Sequence, residues 1–296
     1  ISIVGGTPEI LNLLGTITKT RFSANRPAPP PWMNPLEAIG RSVAGGLSGL
    51  VSLLEIQGRL VAAIGAVLTM RSPLRLTSII HQVDHAGFRA IPIVALISFV
   101  VGIILTQQSI LQLQNFGATI FVVDLAAVLM LREAGVLLAA IMLAGRSGSA
   151  ITAEIGSMRM REEVDALKVM GLDPFRILML PRVLALVLAL PMLAFIGSLA
   201  GLAGAAVIAR IVGDIPLDLF ADRLQAAVSM QSVLVGLVKA PFMAFVVGLI
   251  ACSEGLKVGG SAESLGQRTT ASVVKSIFAV IVADGLFAVF FAAVGI

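Results

Sequence analysis

Long apolar runs alternate with short polar ones along the chain, and from residue 89 onward five runs stand out at 89–108, 118–144, 183–209, 234–252 and 276–296. Each approaches or exceeds the roughly 20 helical residues needed to cross a hydrocarbon core of about 30 Å. Residues 47–70 differ: Leu50, Leu53, Leu54, Leu60, Val61, Ile64, Val67 and Leu68 form a helical stripe, interrupted by Glu55, Gln57 and Arg59 and followed by Arg71, Pro73 and Arg75. That pattern predicts a helix lying in the membrane interface, with a spanning helix as the alternative. Before it, Arg26-Pro27-Ala28-Pro29-Pro30-Pro31 is incompatible with a helix and reads as an extended linker. The division is an N-terminal segment, 1–45, and a membrane domain, 46–296. The expected fold is an all-α polytopic membrane protein with one N-terminal interfacial helix and five transmembrane helices.

Composition agrees. Of 296 residues 57% are hydrophobic and 13% charged, with a mean hydropathy of +1.00, whereas soluble domains carry about 25% charged residues. An ordinary soluble enzyme and a disordered chain are both excluded. The net charge of +4 suits loops facing anionic headgroups and gives no reason to invoke nucleic acid. Cys252 is the single cysteine, so there is neither a disulfide framework nor a thiolate metal cluster.

Basic residues set an orientation. Arg71, Arg75 and Arg89 precede the first span; Arg146, Arg159, Arg161, Lys168, Arg176 and Arg182 lie in 145–182; Lys257, Arg268 and Lys275 lie in 253–275. The intervening connections, 109–117 and 210–233, hold only Arg210 and Arg223. The positive-inside rule therefore puts the N-terminus in the cytoplasm and the C-terminus outside.

Several charges lie within the apolar runs: Asp124, Arg132 and Glu133 in the second, Lys239 in the fourth and Asp284 in the fifth. A charge at a helix centre costs about 2.5–3.5 kcal/mol on insertion scales, so these should face a bundle interior or a wet cavity. Glu133, Lys239 and Asp284 are placed to neutralise one another across three helices. They would form either a static ion cluster that fixes helix register or a polar site for a charged headgroup or ion. Arg132, one residue from Glu133, should point about 100° away from it and so miss the same spot. A proton-coupled secondary transporter using Glu133 or Asp284 is the rival transport reading. His81 and His85 share a helix face, as a metal pair would, but without a third ligand no metal site is expected. Gly197, Gly201 and Ala205 form a small-residue packing face. Neither a phosphate-binding loop nor a nucleophile elbow is present, and no catalytic residues are assigned, so any ATP hydrolysis belongs to another chain.

Between the second and third runs lies a charged connection. Residues 159–170 are predicted as a short amphipathic helix with Val164, Leu167 and Met170 on one side, Arg161–Asp165 and Asp165–Lys168 at ion-pair spacings, and Gly171 ending it. From pattern alone it is a solvated surface helix or a docking element for a soluble partner. The run from Ala144 to Pro174, with A-G-R-S-G-S-A-I-T-A-E-I-G-S-M-R and E-E-V-D-A-L-K-V-M-G-L-D-P, resembles the signature of the MlaE/YrbE-type permeases. The resemblance extends through Leu131-Arg-Glu-Ala-Gly135 and covers roughly 75–296. It implies a homodimeric permease of the bacterial inner membrane, working with a cytoplasmic ABC ATPase that holds ATP and Mg²⁺ and with a periplasmic MCE-domain protein, to move phospholipids or other lipids. No cofactor is implied in this chain. The resemblance makes the loop helix the coupling helix, with Glu154, Arg159, Arg161, Glu162, Glu163, Asp165 and Lys168 as coupling residues. It also puts Glu133, Lys239 and Asp284 near a lipid cavity, with Leu105 and Leu113 on its apolar wall. Residues 1–25 would be the tail of an upstream STAS-like domain.

Overall fold

The computed structural model describes residues 76–295, together with Gly40 and Gly58. The linker, the interfacial helix and the segment 1–45 lie outside the described residues. The described part is helical, without strands, and contains five helical runs long and apolar enough to span a membrane. A short amphipathic helix α1 (Leu76–Ala86) bends at Gly87 into span 1 (Ile91–Gln114), which tolerates Pro92 because its first turn lacks amide partners anyway. Span 2 (Thr119–Met160) is one helical run widened by two π-turns, Leu129–Ala134 and Ala144–Gly148. Then come α2 (Glu163–Val169), span 3 (Phe175–Ile211), α3 (Leu217–Ala227), span 4 (Met230–Leu256) and span 5 (Ala262–Val294). Spans 4 and 5 are capped by Ser229 and Ser261, whose hydroxyls accept from the amides of Ser232 and Ser264. Gly295, at φ 77°, closes span 5.

Every expected span is present, yet span 2 runs sixteen residues past its expected end at 144 and span 5 starts at Ala262 rather than 276. Hydropathy drops at Arg146, but backbone hydrogen bonding does not. Residues 149–160 remain helical because Ile151, Thr152, Ile155 and Gly156 bury against spans 4 and 5. Thr152 Oγ1 donates to the carbonyl of Ala251 at 3.0 Å and can accept from Ser272 Oγ at 2.8 Å. Part of the expected loop is therefore an extension of a membrane helix, and Arg146, Glu154 and Arg159 sit on it.

Spans 3 and 4 supply much of the core, with span 2 packed on both. The small-residue face of span 3 does pack helices. Its partner is span 1, whose Gly102 lies so close that a Cβ there would fall 2.1 Å from the carbonyl oxygen of Gly201. Spans 1 and 5 are the outermost. Span 1 buries only Val94, Ser98, Gly102, Thr106 and Ile110, and span 5 only Ser272, Ser276 and Val280, each a stripe four residues apart. Their other faces expose Leu96, Ile104, Phe278, Leu286 and Val289, apolar surface that only lipid or another protein can cover.

Candidate functional site: a charge cluster in the membrane core

Glu133 sits in the first π-turn of span 2, Lys239 in span 4 two residues before Pro241, and Asp284 in span 5 one turn beyond Val280, the last of its buried stripe. A π-turn and an intrahelical proline both loosen regular backbone bonding, and both lie at the level of the cluster. Gly236 allows the close approach: a Cβ there would lie 2.2 Å from the carbonyl oxygen of Leu131.

Lys239 is fully buried. Its Nζ donates to Glu133 Oε2 and, at 3.2 Å, to Asp284 Oδ1. The sequence-predicted trio is therefore one cluster. Glu133 and Asp284 keep 29% and 14% of their side-chain surface exposed, so the carboxylates, not the ammonium, form its accessible side. Arg132 departs from expectation: its Nε lies 3.4 Å from Glu133 Oε1. Consecutive residues of the widened π-turn are separated by a smaller angle than in an α-helix, and the long arginine side chain folds back. The four groups carry two positive and two negative formal charges, the balance that permits burial of ions in low dielectric.

An apolar groove of about 320 Å³ lies between spans 4 and 5, lined by Met230, Gln231, Leu234, Val235 and Val238 of span 4 and Phe291 of span 5. Val235 lies one turn from Lys239, and Phe291 two turns from Asp284, so groove and cluster share the seam between these spans. Phe242, Phe287 and Phe291 follow it, the first pair tilted and the second stacked, with ring centroids 5.5 and 6.1 Å apart. Leu105 and Leu113 do not line this groove. They lie on span 1, which packs on span 3, and Leu105 is 36% exposed.

At the other end of spans 4 and 5 is a cluster that hydropathy reasoning missed. Glu254 is 2% exposed and pairs with Lys275 (2.9 Å), Arg268 (3.2 Å) and Lys257 (3.3 Å). Arg159 donates to the carbonyl of Leu256 beside it. The available signal was a lone carboxylate at the end of an apolar run followed by three spaced cations.

The remaining charged residues fall into two groups. Glu154 binds Arg182 at 3.1 Å, so Glu154 and Arg159 are engaged within the subunit. Arg161, Glu162, Glu163, Asp165 and Lys168 surround α2, which starts at Glu163 rather than 159 because Glu162 turns into the left-handed region at φ 60°. Lys168 meets Asp165 at 2.7 Å as expected, but Arg161 pairs with Glu163 at 3.1 Å instead of Asp165. The Lys168 hydrogen bond, helped by its charge, lowers the Asp165 pKa below the ordinary value. Of the expected apolar face only Val164 is buried; Val169 and Met170 project at 88% and 64% exposure. Gly171, at φ 75°, ends the helix as its position predicts. His81 and His85 share a face, with rings 5.4 Å apart.

Five membrane helices around a balanced charge cluster, with a short charged helix between spans 2 and 3, define a membrane transport subunit rather than a soluble catalyst. The chain belongs to the MlaE permease family: the family model described as Permease MlaE matches residues 79–290. A probable ABC transporter permease protein of Rickettsia felis is 33% identical over 225 residues, covering 76% of this chain and 86% of the relative. One from Synechocystis is 32% identical, covering 80% and 85%. The chloroplastic protein TRIGALACTOSYLDIACYLGLYCEROL 1 of Arabidopsis thaliana is 30% identical, covering 72% and 61%. This protein is accordingly an ABC transporter permease subunit, multi-pass and not itself an enzyme, and its ATPase is a separate chain.

Proposed function

We propose that the protein is the permease of a lipid transporter, with phospholipid as the substrate class. The observation that carries this reading is that an apolar groove and a buried, charge-balanced cluster share the seam of spans 4 and 5, a pairing suited to an acyl chain and a polar headgroup on one molecule. The Arabidopsis relative's name contains a galactolipid built on diacylglycerol, which supports a two-chain lipid as the cargo. The headgroup meets Glu133 and Asp284, whose carboxylates are held by Lys239. Two copies of the chain bring their exposed spans 1 and 5 together in the inner membrane, so that Leu105 and Leu113 of span 1 complete an apolar wall which one chain leaves open. The N-terminus is cytoplasmic and the C-terminus periplasmic. ATP and Mg²⁺ bind the partner ATPase, which docks on α2 through Arg161, Glu162, Glu163, Asp165, Lys168 and the projecting Val169 and Met170. The extension of span 2, tied by Arg159 and Glu154 to span 4 and Arg182, carries the motion inward. A periplasmic MCE-domain protein exchanges lipid with the groove. The proton-coupled alternative finds no support among the relatives described above.

The test is lipid transfer by the reconstituted complex. Lys239→Ala and Glu133→Ala variants that assemble normally should lose most transfer, and wild-type rates in both would overturn the headgroup site.

A further inference from the structure

A second polar cleft lies at the opposite end of the subunit from the groove, on the side richest in basic residues. Helix α1 packs on span 3 through its apolar side, burying Ile79 and Ala86, and turns Gln82 and His85 toward span 2. There the second π-turn, Ala144–Gly148, presents Arg146 and Ser147. Between them is a cleft of about 80 Å³, lined by Gln82, His85, Arg146, Ser147, Ala150 and Glu154 among others. One water needs only about 10–15 Å³ of such space, so several waters or a small polyatomic group fit.

Charge decides what fits. Residues 146, 150 and 154 are four apart, so the arginine, a small floor residue and the glutamate follow one helix face. Glu154 is already neutralised by Arg182, whose Nη2 and Nε lie 3.1 and 3.3 Å from the same carboxylate oxygen. Arg146 makes no ion pair with any described residue. The cleft thus has one uncommitted cation, together with a glutamine amide, a histidine ring nitrogen and a serine hydroxyl able to donate alongside it. It also sits where the apolar run of span 2 gives way to polar sequence.

We propose that this cleft binds a phosphate group, with Arg146 as its principal anchor and Gln82, His85 and Ser147 as further donors. A planar guanidinium is the side chain best shaped for bidentate phosphate recognition. The source is a phospholipid of the leaflet at the basic face or free phosphate; the chemistry is the same. The site is separate from the Lys239 cluster and does not depend on what that cluster carries.

The experiment uses the full chain in nanodiscs of phosphate-free galactolipid, with phosphatidylglycerol titrated in and retained lipid counted by native mass spectrometry. Arg146→Gln should bind phosphatidylglycerol about tenfold more weakly, the loss of one charge-assisted hydrogen bond. Ala150→Leu, which fills the cleft and keeps the charge, should weaken it similarly. Arg89→Gln, whose arginine pairs with Asp84 at 3.5 Å outside the cleft, should bind as wild type. In a parallel arm, thermal stabilisation of wild type but not Arg146→Gln by inorganic phosphate assigns the site to free phosphate. Stabilisation by phosphatidylglycerol alone assigns it to lipid. Unchanged phosphatidylglycerol binding in both Arg146→Gln and Ala150→Leu, together with equal stabilisation of wild type and Arg146→Gln by inorganic phosphate, would overturn the proposal. So would loss of the ATPase chain from Arg146→Gln with lipid retention intact.

Discussion

Lys239 has no access to water, so its charge is tolerable only through Glu133 and Asp284. Removing one partner of a buried ion pair strands the other and costs about 3–5 kcal/mol, whereas an apolar replacement of the whole set can be neutral. Lys239→Ala should therefore lower the melting temperature in detergent markedly. Lys239→Met combined with Glu133→Gln and Asp284→Asn should recover much of that stability while leaving transport dead. If the triple variant recovered transport as well, the cluster would serve register and nothing else. Asp165 makes a smaller statement. Its folded pKa is depressed, so the Lys168 pair is intact above the ordinary Asp value of 3.8 and is lost only as pH falls through the lower folded value. Its carboxyl resonance in a nuclear magnetic resonance titration should move at a pH below 3.8 in wild type and near 3.8 in Lys168→Met.

At the scale of elements, the contact between spans 1 and 3 depends on glycine facing glycine. Gly102→Val should force the helices apart at a cost of about 1–3 kcal/mol, visible as reduced yield of folded protein, while the same change at the open Gly266 should be neutral. Reversing the charges of Glu162, Glu163 and Asp165 should weaken co-purification of the ATPase without lowering the permease's own melting temperature. The five spans were legible because lipid demands unbroken apolar sequence, and Glu133, Lys239 and Asp284 stood out because they break it. The extension of span 2 was not legible: residues 149–160 are helical through burial of Ile151, Thr152, Ile155 and Gly156 against spans 4 and 5, a contact that the charged residues around them hide. The π-turns were equally hidden, and with them the contact of Arg132 with Glu133. Glu254 escaped because it lies where an apolar run ends, a position at which a charge looks ordinary until Lys257, Arg268 and Lys275 are seen around it.

For the whole molecule, the groove and cluster lie along the seam of spans 4 and 5, and span 5 exposes most of its outer face. This arrangement leaves the groove open to a lipid and to a second copy of the chain. The ends of the seam are chemically distinct, with Glu254 and its cations at one and Phe291 at the other, so the proposed lipid would have a preferred orientation along it. The most direct measurement is photo-crosslinking from Val238 or Phe291 in the assembled complex, with captured lipid identified by mass spectrometry and the exposed Phe195 of span 3 as the bulk-lipid control. The account predicts enriched phospholipid capture at 238 and 291, abolished by Lys239→Ala, and unselective capture at 195. Equal, unselective capture at all three positions, unaffected by Lys239→Ala, would contradict it.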